Sequence, residues 1–172
     1  MSDYIEICKR WAREYVVELR LCPFAKLPIQ QGNVEWKVLQ EVELVIKIME
    51  KFLVTKAKTT MIIVPTLDEF TTFLDFYYLC NDIVKQLGLT DDIELVTFHP
   101  EHQYEGTSFS DSVNFANRSP YPIVQLLRKS DLEEVGMTQE WKSRILEANE
   151  ETLFHVGYEK LNQMLDEYRS KD

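Results

Sequence analysis

A chain of 172 residues suits one domain with room for a sizeable core. At 45% hydrophobic and 28% charged it has a globular composition, and a formal net charge of -10 argues against nucleic acid or an anionic membrane as partner. Three widely spaced cysteines (Cys8, Cys22, Cys80) make no disulfide framework, MSDYIEICKR lacks the apolar segment of a signal peptide, and no run approaches about 18 apolar residues, so the expectation is a soluble cytoplasmic protein.

Ser2 is placed to cap a first helix, along which Ile5, Cys8, Ala12, Tyr15, Val16 and Leu19 recur at helical spacing. Pro23 and Pro28 bound an irregular stretch, LCPFAKLP, and Gly32 marks a turn before a strand at 34–39. Val42, Val45, Ile46, Met49, Phe52 and Leu53 predict an amphipathic helix. TTMIIV at 59–64 reads as a strand covered on both faces and closed by Pro65. Asp68 stands as N-cap of a third helix carrying Phe70, Phe73, Leu74, Tyr77, Cys80 and Val84, and Gly88 stops it. IELVTF at 93–98 is a third strand.

From His99 to Ser119 no period holds, and loops longer than about 12–15 residues are often functional. Ser119-Pro120 reads as a helix start, with Ile123, Val124, Leu126 and Leu127 as its apolar face. A further helix begins near Thr138 and carries Trp141, Ile145, Ala148 and Thr152. Gly157 separates it from a last segment, Tyr158 to Tyr168, with a frayed end expected over 166–172. Strands alternating with helices predict a single α/β domain over 1–172. Its core is βαβαβ: a small, mostly parallel sheet of about three strands packed by helices, followed by a long functional loop at 99–119. Ligands of such sheets lie beyond the carboxyl ends of the strands, where this loop begins.

Four residues carry the candidate chemistry: Cys22, His99, Asn117 and Arg118. Cys22 sits in a turn before Pro23, either a small packed side chain or a nucleophile in need of a base. Cys8 and Cys80 fall on apolar helix faces. His99 ends a buried strand, as general base or as a histidine that caps loop carbonyls. His99 and His102 form H-x-x-H, but with Cys22, Glu101 and Glu105 as the other donors the set is too sparse for a closed tetrahedral site, and no metal is expected. Asn117, Arg118 and Ser119 join a cation to a helix start, a site for a carboxylate or phosphate, unless Arg118 pairs with an acidic residue and Ser119 merely caps. Tyr104 and Phe109 are placed to wall a pocket. No glycine-rich nucleotide loop is present, and no cofactor is expected.

LCPFA (Leu21 to Ala25), FHP (Phe98 to Pro100), QYEGT (Gln103 to Thr107) and NRSPYP (Asn117 to Pro122) together resemble bacterial domain-of-unknown-function family 1415, from about Cys8 to Gly157. Weaker echoes are Val64-Pro65 followed by FLDF (Phe73 to Phe76), and Asn149 with Thr152-Leu153. The resemblance implies a bacterial cytosolic protein, supplies no activity, substrate or cofactor, and implies an aromatic residue at the position of His102, against H-x-x-H as a metal motif. Three functions stand open. One is an enzyme acting on a small anionic metabolite, with Cys22 as nucleophile, His99 as base and Arg118 as anion clamp. Another is a non-catalytic module binding a small anionic metabolite through His99, Asn117 and Arg118; Ser119 and Tyr104 are the further ligand-binding candidates of the site. The last is a structural or adaptor protein.

Overall fold

Apolar and β-branched, the run TTMII can leave neither face in water. The computed structural model describes residues 2–41 and 44–170, Ser2 by its backbone alone. In it this run is a strand buried at every position. The strands are β1 (Val34–Val38), β2 (Thr59–Ile63), β3 (Ile93–Phe98) and β4 (Ile123–Arg128), in the order β1-β2-β4-β3. β1 runs parallel to β2, with Val34 opposite Thr59, whereas β4 is antiparallel to both its neighbours.

The sheet is therefore mixed and four-stranded, not the mostly parallel sheet of about three strands that the alternation predicted. β1, β2 and β3 do point the same way, and β4 is wedged against them. β4 is the segment expected to be a helix. Ile123, Val124, Leu126 and Leu127 fit helical spacing, yet they equally make the short apolar run of a buried strand. Pro122 holds the residue before it extended, and six residues suffice for a strand but make a poor helix.

Alternation along the strands sends side chains to two cores. Ile62, Val64, Val124 and Leu126 face α3 (Leu44–Val54) and α4 (Phe70–Gln86). Met61, Ile63 and Ile123 face α1 (Ser2–Trp11), the π-helical turn Ala12–Val17, α6 (Gln139–Val156) and α7 (Tyr158–Arg169). Two short helices, α2 (Lys26–Gln30) and α5 (Lys129–Glu134), complete the chain. Cys8 and Cys80 are fully buried.

Several local expectations shift. The capping role of Ser2 and the core role of Val42 lie outside the described residues. α4 starts after Glu69 instead of Asp68, and the Glu69 carboxylate accepts from the hydroxyls of Thr71 (2.8 Å) and Thr72 (2.9 Å). Thr138 does cap α6, its hydroxyl accepting from the N–H of Trp141 at 3.2 Å, and Gly157 at φ 82° turns the chain into α7. α6 buries Asn149 and Leu153, leaving Trp141 45% exposed, because it packs mainly on the turn Ser112–Ala116 and on α7. α7 is helical through Arg169 with Tyr168 buried, past the point at 166 where fraying was expected; 171–172 lie outside the described residues. No described helix is long and apolar enough to cross a membrane.

Candidate functional site

β3 is an edge strand, and the segment after it folds back to cover that edge. The Asn117 carbonyl accepts from the His99 N–H (3.0 Å), and its side-chain amide donates to the Thr97 carbonyl (2.7 Å). These are the bonds a neighbouring strand would make. The Tyr104 hydroxyl then donates to Asn117 Oδ1 at 2.6 Å. Asn114, wholly buried, performs the same task further out. Its Oδ1 accepts from the Tyr104 N–H and the Thr107 hydroxyl, both at 2.9 Å, and its amide donates to the Ser108 carbonyl at 2.7 Å. Asn114 was not among the expected residues; the one signal for it is a lone amide inside the apolar SVNFA.

His99 is 0% exposed, with Phe70 and Phe73 rings each 5.1 Å away. Its Nδ1 accepts from the Glu101 N–H (3.0 Å), so Nε2 carries the proton and donates to the Leu67 carbonyl (3.2 Å). Both nitrogens are occupied, and burial pushes the pKa down. The imidazole ties β3 to the segment before α4 and offers no lone pair to a substrate.

Arg118 is 1% exposed. Its Nε donates to the His102 carbonyl (3.1 Å) and its Nη2 to the Phe109 carbonyl (2.8 Å), with the guanidinium 4.3 Å from the rings of both Phe109 and Phe115. No carboxylate among the described residues pairs with it. Ser119, also buried, donates to the Tyr121 carbonyl at 2.6 Å and starts a strand approach instead of a helix. The two features that suggested an anion clamp, an available guanidinium and a helix start, are thus a buried staple and an extended turn.

His102 packs edge-on to Phe70 and Tyr104, and neither ring nitrogen has a hydrogen-bond partner among the described residues. Burial first, then the charge of Arg118, depresses its pKa to about 4. Among the described residues no group of three or more His, Cys, Asp or Glu could hold a metal ion.

Cys22 stands apart from this network. The carbonyl of Leu21 before it accepts from Asn149 of α6 (3.0 Å), and the Phe24 ring after it meets Trp141 at 6.3 Å. That is the α6 face of the sheet, whereas His99 packs on the α4 face. The residue is exposed, yet its sulfur is crowded; this raises the thiol pKa, against the opposing pull of the Phe24 and Ala25 N–H groups. His99, Tyr104, Asn117, Arg118 and Ser119 are therefore brought together, and among the described residues none of the hydrogen bonds that knit them involves Cys22.

The open space is elsewhere. A cleft of about 600 Å³ lies between residues 107–113 and α6, lined by Thr107, Asp111, Glu147, Glu150, Glu151 and Phe154 among others. Asp111 accepts from the N–H (2.7 Å) and hydroxyl (2.8 Å) of Ser108, which hold its pKa down. Glu147, Glu150 and Glu151 form no ion pair among the described residues, while the basic side chains of α6, Lys142 and Arg144, are each spent at 2.7 Å on Glu94 and Glu140. The i, i+3, i+4, i+7 spacing of Glu147, Glu150, Glu151 and Phe154 was visible in the sequence as one helix stripe. A second cleft, about 540 Å³, carries Lys9 and Arg13, but Glu35 shares its wall and Glu6 pairs with Lys9 at 2.8 Å.

The fold and this loop define an α/β protein with helices on both faces of a mixed four-stranded sheet and a side-chain-pinned segment along one edge. A family model described as a protein of unknown function (DUF1415) matches residues 3–163, nearly the whole chain, and the chain belongs to that family. No curated protein and no solved structure matches it.

Proposed function

We propose that this chain is a binding protein that recognises a positively charged ligand in the cleft between residues 107–113 and α6, with the pinned 99–119 segment as scaffold. The observation that carries this reading is the row of Glu147, Glu150 and Glu151 along the cleft, none of them in an ion pair among the described residues. Such a surface focuses a negative potential that draws cations and repels the anionic metabolite the sequence suggested. The setting we propose is the bacterial cytoplasm, supported by three unpaired cysteines.

Thermal shift with spermine and with citrate tests the reading. Spermine should raise the melting temperature in a salt-sensitive way, and Glu150→Gln with Glu151→Gln should abolish the rise. A rise with citrate alone returns the function to an anion site. The Cys22 enzyme keeps one supporting observation, the N–H groups of Phe24 and Ala25 beside its sulfur. Iodoacetamide alkylation of Cys22 should be slow at pH 7, since the crowded thiol stays protonated; rapid alkylation there would favour thiol chemistry.

A further inference from the structure

The two edges of the sheet differ. The segment after β3 covers one, whereas β1, at the other, has a strand partner on one side only. The Leu39 N–H donates to the Ile63 carbonyl at 2.8 Å. Alternation along the strand then turns the N–H and C=O groups of Glu35 and Lys37 toward β2 and those of Val34, Trp36 and Val38 outward. Among the described residues no backbone hydrogen bond reaches these outward groups. Every residue of β1 is only half-buried, while every residue of β2 is buried. Val34, Trp36 and Val38 place their side chains on the α1 face, where the cleft of about 540 Å³ runs beside the edge between Trp36, Ile5 and Ile29. Glu35 and Lys37 lie on the α3 face, 2.8 Å apart, with Lys51 of α3 at 3.6 Å from Glu35.

We infer that two copies of this chain pair through β1, antiparallel about Trp36, joining their sheets into one. A lysine on an edge strand ordinarily wards off further pairing, but VEWKV is its own charge complement when reversed. Pairing about Trp36 sets Val34 opposite Val38 and Glu35 of each copy opposite Lys37 of the other, two cross-strand ion pairs on the α3 face. The same register sets outward backbone groups against outward backbone groups, so that the ladder closes. On the α1 face Trp36 of each copy comes beside the apolar wall of the other's cleft. Sliding one copy by two residues keeps the backbone in phase but sets Glu35 opposite Glu35, or Lys37 opposite Lys37, so charge selects the register. This pairing is independent of the cationic-ligand reading, which concerns the opposite end of the sheet order.

Sedimentation equilibrium of the full chain tests the pairing. The unaltered chain should form a reversible dimer. Glu35→Lys and Lys37→Glu each set like charges opposite one another at two places, and each should raise the dimer dissociation constant about tenfold. Mixing the two variants restores opposite charges across the pair, so a heterodimer should form with a dissociation constant close to that of the unaltered chain. Hydrogen exchange should show the Trp36 and Val38 amides protected in the dimer and fast in the monomer. A chain that stays monomeric at millimolar concentration would overturn the inference. A dimer indifferent to both substitutions would place the contact elsewhere and overturn it too. So would weakening by both without recovery on mixing, since the substitutions would then act through the fold of each copy and not across the pair.

Discussion

Buried polar side chains around His99 and Arg118 hold a segment whose apolar anchors, Phe115 and Ala116, lie only near its end. Arg118→Ala would strand the carbonyls of His102 and Phe109 and open a gap between two rings. The expected cost is about 2–5 kcal/mol, seen as a lower urea midpoint. Arg118→Lys should recover only part of it, because an ammonium cannot fork to two carbonyls across a ring face. A midpoint unchanged in Arg118→Ala would refute the staple. His102 makes a second prediction, from pH. Its folded pKa of about 4 lies below the ordinary histidine value of about 6.5. Above about pH 6.5 neither state binds the proton, and its contribution is complete. Between there and about 4 only the unfolded chain takes the proton, so stability falls, by on the order of 3 kcal/mol when lost in full. Buried His99 pulls in the same direction. His102→Phe should flatten the fall in urea midpoint between pH 7 and 5; superimposable acid limbs would contradict a buried neutral ring.

Among the elements, α6 is built against its own stability. Glu147 repels Glu150 at i+3 and Glu151 at i+4. Glu150→Gln should therefore stabilise the protein by a few tenths of a kcal/mol while reducing the rise in melting temperature that spermine gives. A melting temperature that drops instead would mean that Glu150 has a structural partner. α3 shows the opposite economy. Arg128, at the end of β4, donates to the carbonyls of Phe52, Leu53, Thr55 and Ala57 and lies over the Phe52 ring, satisfying a helix C-terminus from more than 70 residues away. No local pattern around Val54 announces that cap. The Thr138 cap of α6, by contrast, is read directly from a threonine three residues before Trp141.

For the whole molecule, β4 is the keystone. It lies between β2 and β3, its residues Ile123, Val124 and Leu126 are fully buried, and it faces both cores. Leu126→Ala should cost about 2–5 kcal/mol, and hydrogen exchange should find the β4 amides opening only with global unfolding. Fast exchange there would mean that β1 and β2 fold without it. The elements whose evidence is local were legible beforehand: β2 from its unbroken apolar run, β3 from IELVTF, α4 from its 3.6-residue period, α6 from its cap. The candidate site was legible in part. The reading of loop and strand placed Cys22, His99, Asn117 and Arg118 in one neighbourhood; the last three share the segment along β3, and the sequence said nothing of whether their polar atoms would face a ligand or one another. Composition and period determined that this chain is an α/β domain with an irregular, polar segment after β3, because those signals arise between residues a few positions apart. Tertiary structure alone decided that Ile123–Arg128 is a strand, that the turn of Cys22 meets α6 while His99 meets α4, and that Arg118 is enclosed. Those outcomes depend on pairings such as Thr59 with Leu127, whose free energy exists only once distant segments have met.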